Sequence, residues 1–193
     1  MGEAAPKIHL SVEEYLALEQ STGERHEYVN GEAWAMAGGT VAHSAVKVNL
    51  TALMRTALQG HPCRPMDSDL KIHVVETGLS TYPDLSVFCG PLIRSVEVPH
   101  AGTNPTLLAE VLSPSTEGWD RGGKFAHYRR LPSLKYYLMV SLDPRRVELY
   151  TREDDGSWRL TEHGPGGTVA LSALGVSLEV DALYADMLEE VAG

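Results

Sequence analysis

The segment Leu107-Leu-Ala-Glu-Val-Leu112 restricts the fold of this chain more than any other. A run that is apolar except for one carboxylate fits a central strand covered on both faces, and Pro114 stops it. Glu110 then sits where burial is expected. An isolated ionised carboxylate in such a place costs several kcal/mol, so it must be protonated, paired or bound to a cation. Strand alternation puts Glu110 on the face of Leu108 and Leu112. A second carboxylate, Asp84, opens the preceding strand signal, Asp84-Leu-Ser-Val-Phe88, directly after Pro83. Pairing of the two strands would bring both acids to one level of a sheet. Two oxygen ligands with room for water is how magnesium is commonly held. The plainer alternative is a structural ion pair, Glu110 with Lys124 or an arginine, with Asp84 as a turn or cap residue.

The surrounding pattern supplies a frame for that strand. Ser11 and Glu14 have capping-box spacing, which predicts a helix over 12–19. Asn30-Gly31 predicts the turn of a hairpin from His26 to Met36. Val46, Leu50, Leu53 and Ala57 recur on one helical face between Val41 and Leu58, and Gly60 and Pro62 end that helix. Leu70, Ile72 and Val74 alternate in a strand over 69–74. Asp120 to Leu131 reads as a helix stopped by Pro132, and Leu134 to Val140 as another apolar strand. A hairpin over 147–162 turns at Asp154-Asp-Gly156, and a last helix covers roughly 181–191. The order of the core is helix, three strands, helix, strand. It predicts an α/β mixed sheet flanked by helices, with extra hairpins at both ends.

Length and charge narrow the function. The 193 residues allow one domain with a sizeable core. No apolar run approaches the ~18 residues needed to cross a bilayer, and the N-terminal segment lacks the basic-then-apolar order of a secretion signal. The cytoplasm is therefore the expected compartment. Cys63 and Cys89 are too few for a disulfide framework or a four-cysteine zinc site, and read as small buried apolar residues. The formal net charge of −10 argues against indiscriminate coating of nucleic acid. Yet Arg121, Lys124, Arg129, Arg130, Lys135, Arg145 and Arg146 fall between 121 and 146 with Asp143 as the sole acid. That island is either a solvated helix face or a landing site for a phosphate chain.

Asp120, Lys124, His127, Tyr128 and Leu131 are spaced three and four apart, so they share one side of their helix. If that side faces the sheet, the Lys124 ammonium reaches the carboxylates and could steady an attacking water or charge on phosphorus. Arg121, Arg129 and Arg130 would fan out towards phosphate oxygens. No histidine pair has zinc-protease spacing, and no glycine-rich stretch matches a phosphate loop. Ser113 and Ser115 lack the elbow of a serine hydrolase.

Pro83-Asp84, Ala109-Glu-Val-Leu-Ser-Pro-Ser-Thr116, Asp120-Arg-Gly-Gly-Lys124 and Tyr128-Arg-Arg130 together resemble the Uma-type restriction endonuclease family of the PD-(D/E)XK nuclease superfamily. Glu27-Tyr-Val-Asn-Gly-Glu32 and His43 resemble its N-terminal pattern, and the likeness spans about residues 10–190. It implies one restriction-endonuclease-like domain over 1–193 with its core at about 41–142. It further implies Mg2+- or Mn2+-dependent hydrolysis of DNA phosphodiesters. By that resemblance Asp84, Glu110 and the main-chain carbonyl of Val111 hold the metal, and Lys124 is the catalytic lysine. The superfamily's plain pattern places a lysine two residues after the glutamate, where this chain has Leu112; the Uma-type resemblance implies that the next helix supplies it. Glu27, His43, Arg121, Tyr128, Arg129 and Arg130 are supporting or substrate-facing candidates. DNA is the expected partner, with a homodimer supplying two sites for two strands. The competing reading is a nucleic-acid-binding or protein-interaction module that keeps the nuclease scaffold without cutting.

Overall fold

A computed structural model describes residues 6–36 and 38–187. Strand β1 (Ile8–His9) leads into helix α1 (Val12–Thr22), where Ser11 and Glu14 form the reciprocal capping box. Strands β2 (His26–Val29) and β3 (Glu32–Ala35) make the expected hairpin. Asn30 and Gly31 both take positive φ, 54° and 81°, as a two-residue type I′ loop requires. Helix α2 (Val41–Ala57) follows, capped by the Thr40 hydroxyl. Next come β4 (Cys63–Asp67), β5 (Ile72–Val74), β6 (Leu79–Thr81), β7 (Leu85–Cys89) and β8 (Leu107–Val111). A π-helical turn at Trp119–Lys124 runs into α3 (Phe125–Tyr128). Strands β9 (Tyr136–Ser141), β10 (Arg146–Arg152), β11 (Trp158–His163), β12 (Thr168–Leu171) and β13 (Val176–Glu179) precede the short α4 (Val180–Leu183).

The main sheet has six strands in the order β11-β10-β9-β8-β7-β4. It is mixed: β8 and β9 run parallel, connected through the π turn and α3, and the other pairs are antiparallel. A second sheet, β1-β3-β2-β6-β5, joins the N-terminal hairpin to the β5–β6 hairpin. Strands β12 and β13 form a separate ribbon.

Every residue of β8 is buried, and its two faces look into different cores. Leu107, Ala109 and Val111 pack with Val46, Leu50 and Met54 of α2 and with the C-terminal ribbon. Leu108 and Leu112 pack with Tyr128, Tyr137, Met139 and residues of β5 and β6. The layers are thus α2 and the ribbon, the main sheet, then α3 with the second sheet.

Three expectations change. The strand over 69–74 shrinks to Ile72–Val74 and lies in the second sheet. Its place in the main sheet is taken by β4, whose Cys63-Arg-Pro-Met-Asp67 has no apolar alternation. Proline is tolerated there because β4 is an edge strand. On α2 the fully buried positions are Val46, Leu50 and Met54, with Leu53 only part-covered. The last helix is one turn, Val180–Leu183, and the expected extension past 187 lies outside the described residues.

Cys63 and Cys89 also depart from expectation. They face each other across β4 and β7 and are joined as a disulfide, with Cα atoms 4.0 Å apart. Two strands paired in register bring the side chains within bonding reach, a juxtaposition that their separation of 26 residues does not reveal.

Candidate active site

The register of β7 against β8 pairs Leu85 with Ala109, so one step earlier Asp84 falls opposite Glu110. Both carboxylates line one cavity of about 270 Å³. Asp84 is fixed at one oxygen: its Oδ2 accepts the Val111 N–H at 2.8 Å and lies 3.3 Å from His43 Nε2. Lys47 Nζ stands 3.8 Å from Oδ1. Burial alone would raise the Asp84 pKa. The hydrogen bond and charge of His43, with Val111 and Lys47, outweigh it and hold the carboxyl below its ordinary range.

Glu110 is 4% exposed. Its Oε1 accepts from Lys124 Nζ at 3.1 Å and from the Tyr128 hydroxyl at 2.9 Å. Lys124, also 4% exposed, lies 2.8 Å from Glu27 Oε1 and 2.9 Å from Asp120 Oδ1 as well. One ammonium therefore serves three buried carboxylates. Asp120 Oδ1 is close enough for charge attraction but has no aligned hydrogen bond. Burial pushes Glu110 far above the ordinary carboxylate range; Lys124 opposes this, while Asp120, Asp84 and Glu27 reinforce it. For Lys124, burial pushes down, but Glu110 and Glu27 together hold the ammonium charged. Three carboxyl groups share one ammonium, and burial with their mutual repulsion opposes ionisation of all three at once.

Local structure explains how these side chains meet. The π turn widens the helix where Asp120 and Lys124 both turn inward, a departure from α geometry often found at functional positions. Gly123 permits it: a Cβ there would lie 1.8 Å from the Trp119 ring. Trp119 donates its indole N–H to Glu27 Oε2 at 2.6 Å, and the Thr81 hydroxyl donates to Oε1 at 2.8 Å. Glu27 arrives from β2 of the second sheet, so the cavity floor is built by both sheets.

Of the sequence candidates, Asp84, Glu110, Val111, Lys124, Glu27, His43 and Tyr128 come together. The three arginines do not line the cavity. Arg121 pairs with Glu117 and Glu148, Arg130 with Glu76 at 3.4 Å, and Arg129 is exposed. The basic island is thus largely bound to neighbouring acids. Sequence reasoning passed over Asp120 as a site residue, although its four-residue spacing from Lys124 was visible. It also missed Trp119, whose bond to Glu27 spans 92 positions and leaves no local trace.

Among the described residues, no three His, Cys, Asp or Glu side chains form a ready cage for a metal. The donors present nevertheless suit a magnesium-like ion, which keeps several waters and takes only one or two carboxylates. Asp84 Oδ1 and Glu110 Oε2 accept no hydrogen bond among the described residues, and both acids face the cavity.

The Uma2 family model, described as "Putative restriction endonuclease", matches residues 12–182. The chain is 42% identical over 181 residues to the uncharacterized protein slr1290 of Synechocystis sp., covering 94% of each. It is 35% identical over 162 residues to a second uncharacterized protein of that organism, sll1609, covering 84% of this chain and 91% of the other. Among solved structures, a "putative nuclease belonging to DUF820" from Anabaena variabilis superposes with a TM-score of 0.75 at 19% identity, over 93% of this chain and 99% of that one. At that identity the likeness bears on the fold.

Proposed function

The chain belongs to the Uma2 restriction-endonuclease family, and from that premise we propose that it is a Mg2+- or Mn2+-dependent nuclease that hydrolyses DNA phosphodiesters. The observation that carries this reading is the buried surplus of carboxylates: Glu27, Glu110 and Asp120 share one lysine, with Asp84 facing the same cavity. A divalent cation would offset the mutual repulsion that opposes ionisation of these acids in a low-dielectric site.

Asp84 Oδ1, Glu110 Oε2 and the carbonyl of Val111 would hold the ion. When bound, it supplies a water of lowered pKa and polarises the scissile phosphate. The chain's own groups do the rest. His43 and the Val111 N–H lock Asp84 by Oδ2, and Oδ1, which accepts no hydrogen bond among the described residues, would be the donor to the ion. Tyr128 and Lys124 hold Glu110 by Oε1 in the same manner. Lys124, kept charged by its acids, orients the attacking water and stabilises charge growing on the phosphoryl oxygens. A homodimer, bringing two sites to two strands, and a cytoplasmic location are parts of the same proposal. In a reducing cytoplasm Cys63 and Cys89 would stand as facing thiols.

Titration calorimetry with manganese tests the ion site: heat of binding is expected for the native chain and its loss for Glu110→Ala and Asp84→Ala. Equal heats in all three would remove the site. Plasmid and single-stranded DNA incubated with magnesium or manganese should be cut by the native chain and spared by Asp84→Ala and Lys124→Ala. Manganese binding with no cleavage of any substrate would leave the non-cutting binding module.

A further inference from the structure

We propose that the apolar wall of the cavity, Trp34 with Met36 and Trp119, is a nucleobase subsite, so that the strand to be cut enters as an unpaired nucleotide rather than as intact duplex. This rests on the nuclease reading and adds the form of its substrate. Depth is the first reason. Glu110 and Lys124 are 4% exposed and Glu27 is 3% exposed, at the bottom of a walled cavity. A strand that leaves its partner can lower a phosphate towards such groups further than the convex outside of a straight duplex allows.

Size and chemistry of the wall are the second. About 270 Å³ falls just under the ~300–1,000 Å³ usual for small-molecule sites, room for one nucleotide and not for a base pair. Trp34 and Trp119 meet edge to face, ring centres 5.5 Å apart at 80°. The bond to Glu27 fixes Trp119 in that position. Aromatic faces of this kind take bases by stacking irrespective of sequence.

Charge is the third. None of the three candidate arginines lines the cavity, and Arg121 and Arg130 pair with acids. Lys7 lines the cavity, its Nζ 5.1 Å from the Trp34 ring centre, and an adjoining groove of about 490 Å³ adds Lys47 and Arg25, the latter paired with Asp69, and shares Met36, His43 and Asp84 with the cavity. A single strand could lay its neighbouring phosphate there while one base occupies the tryptophan wall.

The test is equilibrium binding by the full chain of a short fluorescein-labelled single strand and of its duplex, followed by anisotropy with calcium and, in parallel, with EDTA. The single strand should bind about tenfold or more tighter, the range a stacked base supplies. Trp34→Ala should abolish most of that preference, and Trp34→Phe should retain it. Equal or tighter binding of duplex, no binding of either form, or a preference untouched by Trp34→Ala would overturn the subsite. Manganese-dependent cleavage by the native chain separates the two readings. Binding that depends on Trp34 without cleavage leaves the subsite and removes the nuclease. Cleavage of paired and unpaired DNA at equal rates leaves the nuclease and removes the subsite.

Discussion

The two faces of strand β8 carry opposite chemistry within five residues. Leu107, Ala109 and Val111 look into a core of aliphatic side chains that includes the wholly buried Val46, Leu50 and Met54. Leu108 and Glu110 look the other way, towards tyrosine hydroxyls, a lysine and further acids. The first face gains free energy with each methylene it hides, about 1.5–3 kcal/mol for a fully buried leucine. The second confines charges that water would solvate better, a cost that persists unless hydrogen bonds and counterions offset it. One strand thus serves as scaffold on one side and as the floor of a carboxylate–lysine cluster on the other. Changes on the two sides should separate stability from activity.

The sharpest break is Glu110→Gln. Cleavage should fall roughly a thousandfold, the scale of a lost charge-stabilising or ion-holding group. Thermal stability without metal should not fall, since burial already favours the neutral form of Glu110 and the amide keeps an acceptor for Tyr128. A large drop in melting temperature would instead give this face a structural duty. The converse change is Leu50→Ala on the aliphatic side. It should cost about 2–5 kcal/mol in urea unfolding and leave the manganese affinity of the folded protein within about twofold; an altered affinity would mean that the faces are coupled.

Gly123→Ala probes the boundary between them. The added methyl meets the Trp119 ring, so the indole must leave Glu27. Loss of about 1–3 kcal/mol in stability should accompany a blue- or red-shifted tryptophan emission; an unchanged spectrum would show that the ring has not moved. The smallest effect belongs to Tyr128→Phe, which deletes one of the two donors to Glu110 Oε1. It should cost about 1 kcal/mol of stability and no more than about tenfold in cleavage, with manganese binding retained.

Much of this division could be read from the sequence. A carboxylate inside Leu107-Leu-Ala-Glu-Val-Leu112 is conspicuous because its surroundings are so uniformly apolar. Lys124 followed from helical spacing, and the Asn30-Gly31 turn from local backbone preference. What escaped depended on partners far apart in the chain. Strand β4 has no alternation of its own and is recognised only by its pairing with β7. The disulfide depends on that same pairing. The basic island read as available charge, whereas Glu148 and Glu76, each distant in sequence from the arginine it meets, occupy Arg121 and Arg130. The π turn has a tryptophan ring packed where a glycine leaves room for it, which no periodicity of apolar residues encodes.

Because Glu27 reaches the lysine from the small N-terminal sheet, the stretch from 41 to 142 is not self-sufficient. A shortened gene product that starts near α2 would still possess all six strands of the larger sheet. It would lack one of the three props under its ammonium, and the indole would have nothing to grip. Such a fragment would keep the larger sheet and lose the carboxylate that seats its tryptophan and helps to seat its lysine.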